Sequence, residues 1–99
     1  ALKLSLGLVR GVSDLLYFTS NGVVGIEMKA KGTSHSVRHL IEQCEWLIAI
    51  PQKGYFCDSF ELFFDIVGGK EGINPKVILE RLKSVKTKSV EWDKISSNL

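Results

Sequence analysis

The sequence predicts one mixed α/β (α+β) domain, a mixed central sheet flanked by helices, and three observations carry that expectation. Residues 14–18 and 23–29 are apolar and rich in β-branched or aromatic residues, and they flank Asn21-Gly22. That dipeptide is the strongest short hairpin signal, because both residues tolerate positive φ. Val37, Leu40, Ile41, Cys44, Leu47 and Ile48 recur at three- and four-residue steps, the period of an amphipathic helix. A short strand-like segment and two more helical segments follow, so the order is hairpin, helix, strand, helix, helix.

Each element has its own local signals. Asp14-Leu-Leu-Tyr-Phe is the outgoing strand and Val23-Val-Gly-Ile-Glu-Met-Lys the returning one. Tyr17 and Phe18 alternate across the hairpin, so one of them belongs to the core. Lys31-Gly-Thr-Ser-His-Ser is a polar connection, and Ser34 or Ser36 caps a helix over 37–49 that ends before Pro51. Gly54-Tyr-Phe-Cys reads as a strand. Asp58 or Ser59 caps a helix holding Leu62, Phe63, Ile66 and Val67, terminated by Gly68-Gly69. Asn74-Pro75 opens a third helix whose apolar face is Val77, Ile78, Leu82 and Val85. Residues 87–99 are polar apart from Val90, Trp92 and Ile95 and read as a loosely docked tail.

Ninety-nine residues suffice for one core, so residues 1–99 are expected to form a single domain. A hydrophobic share of 44% with 24% charged residues is that of an ordinary globular protein. No apolar run approaches the roughly 18 residues that span a bilayer. The opening residues 1–8 alternate Leu with Lys, Ser and Gly, unlike a signal peptide. Cys44 and Cys57 are too few for a disulfide framework and lack the spaced partners of a zinc site. Both are expected to be reduced, in a cytoplasmic (intracellular) protein. Net charge is +2, unevenly spread: residues 1–69 carry six Lys or Arg against seven Asp or Glu, and residues 70–99 seven against four. The basic end is either a phosphate-facing surface or a solvated helix face.

The register of the hairpin bears on chemistry. With Asn21-Gly22 as a two-residue loop, Asp14 falls opposite Lys29 and Leu16 opposite Glu27. Opposed side chains share a face, as do residues two apart along a strand. Asp14, Glu27 and Lys29 therefore converge on one face, while Met28 and Ala30 point toward a core. Such a group is either a surface ion pair with a spare acid or a site for a hard cation. Carboxylate oxygens suit magnesium or manganese, and a lysine beside such an ion can orient water or stabilise charge on phosphate.

Gly11-Val-Ser-Asp14-Leu-Leu, then a hairpin, then Ile26-Glu-Met-Lys29, resembles the signature of the PD-(D/E)XK nuclease superfamily. More specifically it resembles the VRR-NUC branch, whose domains run Gly-x-Pro-Asp-Leu, Ile/Val-Glu-x-Lys, and then a helix carrying Gln. Gln43, within Leu40-Ile-Glu-Gln-Cys-Glu-Trp-Leu, occupies that last position, and Gly54-Tyr55 falls where the family begins its next strand. The resemblance covers a motif core of about residues 7–67 and leaves out the C-terminal helix and tail, residues 74–99. It implies a restriction-endonuclease-like core that hydrolyses DNA phosphodiesters with Mg2+ (Mn2+ as substitute). Asp14, Glu27 and the Met28 backbone carbonyl would hold the metal, Lys29 would position the attacking water, and Gln43 would support the site. It further implies a structure-specific endonuclease acting on junction or flap DNA, and a homodimer. Ser13 stands where the family usually has proline, and residues 1–7 hold none of the acid that the family often carries ahead of its first strand.

Other residues have smaller roles in this reading. Lys31, which shares the parity of Lys29, and Arg38 and His39, near the helix start, are candidate contacts to nucleic-acid phosphate. His35 and His39, four apart, are read as exposed polar residues rather than a metal pair. Trp46, Phe60, Phe63 and Phe64 are expected in the core or in a dimer contact rather than as base-stacking platforms. The rival readings are a non-catalytic nucleic-acid-binding domain on the same fold and a protein-interaction module in which Asp14 and Lys29 form a plain ion pair.

Overall fold

The computed structural model describes residues 14–19, 22–50 and 53–97. Residues 7–13 of the motif core, Ser20-Asn21 and Pro51 fall outside them, as does the side chain of Phe18. The fold is a small mixed α+β domain. In chain order the elements are β1 (Leu15–Thr19), β2 (Gly22–Met28), β3 (Ser34–Ser36), α1 (Val37–Ala49), β4 (Lys53–Cys57), α2 (Phe60–Val67), α3 (Pro75–Leu82), β5 (Ser89–Glu91) and α4 (Trp92–Ser96). A three-stranded sheet has the order β1-β2-β4, antiparallel between β1 and β2 and parallel between β2 and β4. A second, two-stranded antiparallel sheet joins β3 to β5.

The capping chemistry follows the sequence closely. Ser36 accepts from His39 N at 3.3 Å, Ser59 from Leu62 N at 3.1 Å and Asn74 from Lys76 N at 2.9 Å, each satisfying an orphan donor of a first helical turn. Asp58, the other candidate cap of α2, instead accepts from Trp92 Nε1 at 3.1 Å. Past the end of α2, Gly69 takes φ +101, a conformation that glycine adopts without a Cβ penalty.

Both faces of the sheet are covered, because β4 alternates its side chains between two clusters. Phe56 faces α1, α3 and α4, packed with Leu40, Cys44, Leu47, Ile78, Leu82, Trp92 and Ile95. Tyr55 and Cys57 face α2 with Ile26 and Ile66. Gly54 lies where α1 presses onto β4: a Cβ there would collide with the backbone carbonyl of Leu47. The outer edge of β4 is closed by Ile73, which exchanges two 3.0 Å backbone bonds with Phe56.

Two expectations change here. Within the segment 87–99 expected as a loose tail, residues 89–96 are docked: Trp92 is fully buried and its ring lies 5.2 Å from that of Phe56. Residues 31–36 are not wholly a connection, since Ser34–Ser36 forms β3 opposite β5. Ladders of three residues carry too little apolar alternation to be visible as strands. Of the aromatics expected in the core or in a dimer contact, Trp46 and Phe63 pack against the core clusters, while Phe60 and Phe64 are 80% and 66% exposed on α2. Among the described residues no helix is long and apolar enough to cross a membrane.

Candidate functional site

The hairpin ladder closes at Thr19↔Gly22 and runs through Tyr17↔Val24 to Leu15↔Ile26. This is two residues away from the expected register. The cause is local: Gly22, at φ +128, is already the first ladder residue of β2 instead of the second turn residue. Asp14 consequently stands beside Glu27 and not opposite Lys29. A shift of two leaves every side chain on its original face, since strand side chains repeat every second residue. The convergence of Asp14, Glu27 and Lys29 survives the changed register for that reason.

At the open end of the hairpin β1 gives way to a side chain. Met28 N donates to Asp14 Oδ2 at 3.0 Å, and Asp14 N donates to Glu27 Oε1 at 3.2 Å. On its other side the chain is held by β4, through Lys29 N to Cys57 O at 2.9 Å. Glu27 Oε2 lies 3.9 Å from Lys29 Nζ. Glu27 is in register with Phe56 on the parallel neighbour, so it points to the α1 face of the sheet. In an extended strand the N–H and C=O of one residue leave on the same side, so the Met28 carbonyl shares the Asp14 side with its N–H.

Burial decides the electrostatics. Glu27 is 4% exposed and Lys29 6%, which is rare for these residue types. Desolvation, reinforced by the Asp14 charge, pushes the Glu27 carboxyl up to about 8, against the opposing pull of Lys29. Burial lowers the Lys29 ammonium, while the charges of Glu27 and Asp14 pull it back up. The metal-free site thus holds a carboxyl group poised to give up a proton near neutral pH.

α1 closes this face. Cys44, fully buried, is held up to about 12 mainly by burial, and it senses the charge of Lys29. Gln43, one residue before it, is 6% exposed, and its Oε1 is buried with no hydrogen-bond donor among the described residues. His35 on β3 also senses Lys29, its ring held below the usual range by burial first and by that charge second. Thr33 Oγ1 donates to Ala30 O at 2.6 Å and meets His35 Nε2 at 2.8 Å, pinning the turn that follows Lys29. Reading the sequence did not find Cys44 and His35 as neighbours of the site. A cysteine on an apolar helix face reads as core, and β3 had no visible strand pattern.

The remaining expected residues lie further out. β2 ends at Met28, so strand parity does not extend to Lys31, which is exposed in a turn. Ala30 is likewise exposed rather than turned to a core, whereas Met28 packs against the α2-side cluster. Arg38 is exposed on the first turn of α1, and His39 Nδ1 lies 3.7 Å from Glu42 Oε1.

Among the described residues no three His, Cys, Asp or Glu side chains cluster. The donor set at the hairpin end is therefore two carboxylates with a strand carbonyl beside them. That set is oxygen-only, and it suits an ion that keeps several waters, as magnesium does. No protein-family model, no curated protein and no solved structure matches the chain.

Proposed function

We propose that this domain is a magnesium-dependent nuclease of the PD-(D/E)XK type, VRR-NUC branch, that hydrolyses DNA phosphodiesters. The observation that carries the reading is the Asp14–Glu27–Lys29 group at the end of β2, Glu27 and Lys29 buried and Asp14 half-buried, with Glu27 pushed up to about 8. Burying an acid and an amine beside a second, half-buried acid costs stability that hydrophobic residues would not cost. Their convergence on one face of the sheet is what a reaction site requires.

Asp14, Glu27 and the Met28 carbonyl would hold Mg2+, with Mn2+ as substitute. When bound, the ion supplies Lewis-acid polarisation of the phosphoryl oxygen and acidifies the attacking water. Lys29, 3.9 Å from Glu27, orients that water and offsets charge on the phosphate. Gln43 contributes an acceptor that is buried with no donor among the described residues, an arrangement that costs about 1–3 kcal/mol unless a hydrogen bond is restored. Arg38, His39 and Lys31 hold the substrate backbone. A homodimer acting on junction or flap DNA is part of the same proposal, since two strands need two sites.

The rival is a structural role, in which Lys29 and Glu27 form a plain buried ion pair. A panel of labelled DNAs (single-stranded, duplex, flap, four-way junction) with magnesium, manganese or EDTA separates the two. The nuclease reading predicts metal-dependent cutting that Lys29→Ala abolishes while the variant stays folded. A folded wild-type protein that cuts none of these substrates would overturn the nuclease reading and leave the structural role or a non-catalytic nucleic-acid-binding domain.

A further inference from the structure

We propose that the cleft between the first turn of α1 and the segment leading into β5 is a docking surface for the phosphodiester backbone of duplex DNA. Arg38 and Lys88 are its principal contacts. The inference rests on the reading of the carboxylate site as a nuclease, and it adds a surface from the C-terminal third of the chain.

The β3–β5 pairing builds this surface. Val37 N donates to Lys88 O at 2.9 Å, which brings the lysine against the helix start. The cleft, about 600 Å3, is lined by Ser36, Val37, Arg38, Ile41, Glu42, Thr87 and Lys88. Arg38 and Lys88 are exposed at its rim, and Lys86 is exposed just beyond. Its acid, Glu42, faces His39 at 3.7 Å. Ser36 Oγ accepts from His39 N, so its hydroxyl proton remains available to an anionic oxygen.

Charge pairing leaves the cations of this cleft available, as it also leaves Lys31, Lys53 and Lys76 elsewhere on the surface. Lys70, Lys83 and Lys94 are paired with Asp65, Glu80 and Glu91. Among the described residues Lys86, Lys88 and Arg38 have no such partner. The position also fits: β3 borders both places, with His35 sensing Lys29 on one side and Ser36 lining the cleft on the other. Contacts of this kind position a duplex without reading its sequence, and their mark is salt dependence through counterion release.

The test is fluorescence anisotropy of a labelled DNA duplex in EDTA, over a salt series, with wild type, Arg38→Ala, Lys88→Ala and Lys76→Ala. Lys88→Ala keeps the backbone carbonyl that binds Val37, and Lys76, exposed on α3, serves as a control for lost charge. Binding weakens for Arg38→Ala and Lys88→Ala on every sequence tried, each lowering the slope of log K against log salt by about 1. Lys76→Ala leaves the slope unchanged. A wild-type slope in Lys88→Ala, an equal loss in Lys76→Ala, or no binding by wild type overturns the proposal. Magnesium-dependent cutting by a protein whose Lys88→Ala slope is unchanged removes the docking surface alone. Binding through Lys88 without any cutting removes the nuclease reading and keeps the surface.

Discussion

Asp14 N donates to Glu27 Oε1 across 3.2 Å, and the Asp14 carboxylate in turn takes the N–H of Met28 at 3.0 Å. The two acids are thus fixed by backbone hydrogen bonds, not by their own attraction to Lys29. Removing the Lys29 charge leaves both bonds in place, and Glu27 can take up a proton. Lys29→Ala therefore separates chemistry from folding.

The first prediction concerns stability and pH in the absence of metal. Glu27 is raised from 4.5 to about 8 by burial and the Asp14 charge. A folded-state pKa above the unfolded one gives stability that is complete below about pH 4.5 and is lost as pH rises through about 8. Lys29 has the opposite sense: its lowered folded value gives stability present above its unfolded 10.5 and lost as pH falls through the folded value. Glu27→Gln removes the carboxyl titration and keeps the acceptor for Asp14 N. Chemical denaturation should find the variant equal to wild type near pH 4.5 and more stable by on the order of 2 kcal/mol near pH 8.5. Parallel curves for the two proteins would contradict this.

Legibility in the sequence depended on how each feature is encoded. α1, its Ser36 cap and the Asn74-Pro75 helix start were readable because they rest on periodicity and local hydrogen bonding. The site face was readable although the register was not, since a two-residue slip moved Asp14 from Lys29 to Glu27 without turning either side chain over. What stayed hidden was long-range. Nothing local in Ser34–Ser36 or Ser89–Glu91 announces that they pair, and nothing in Glu27 or Lys29 announces that α1 will bury them.

Gly54 was readable only as the start of a strand, yet it sets the approach of α1 to the sheet. A Cβ at this position meets the Leu47 carbonyl, a backbone atom that cannot rotate away. Gly54→Ala should cost about 3 kcal/mol or more, at the upper end of overpacking effects. Thermal unfolding measures it, and a change under about 0.5 kcal/mol, typical of a surface substitution, would show that α1 sits further out.

Trp92 distinguishes a docked C-terminal segment from a tail. It is fully buried, packs at a tilt against Phe56 and donates to Asp58 Oδ2 at 3.1 Å. Trp92→Ala should destabilise by about 3–5 kcal/mol, the range for a buried aromatic truncated to alanine. Urea unfolding of the variant at a wild-type midpoint would mean that residues 89–96 do not pack as described.

The most direct test of the central claim is Mn2+ binding, followed by electron paramagnetic resonance, at pH 6 and pH 8.5 for wild type and Glu27→Gln. An ion entering the site must displace the Glu27 proton, and the free carboxyl titrates near 8. Wild type should therefore bind manganese more tightly at pH 8.5 than at pH 6, and Glu27→Gln should bind at neither. Equal binding by both proteins, or none by wild type at pH 8.5, would show that Asp14 and Glu27 do not form a metal site.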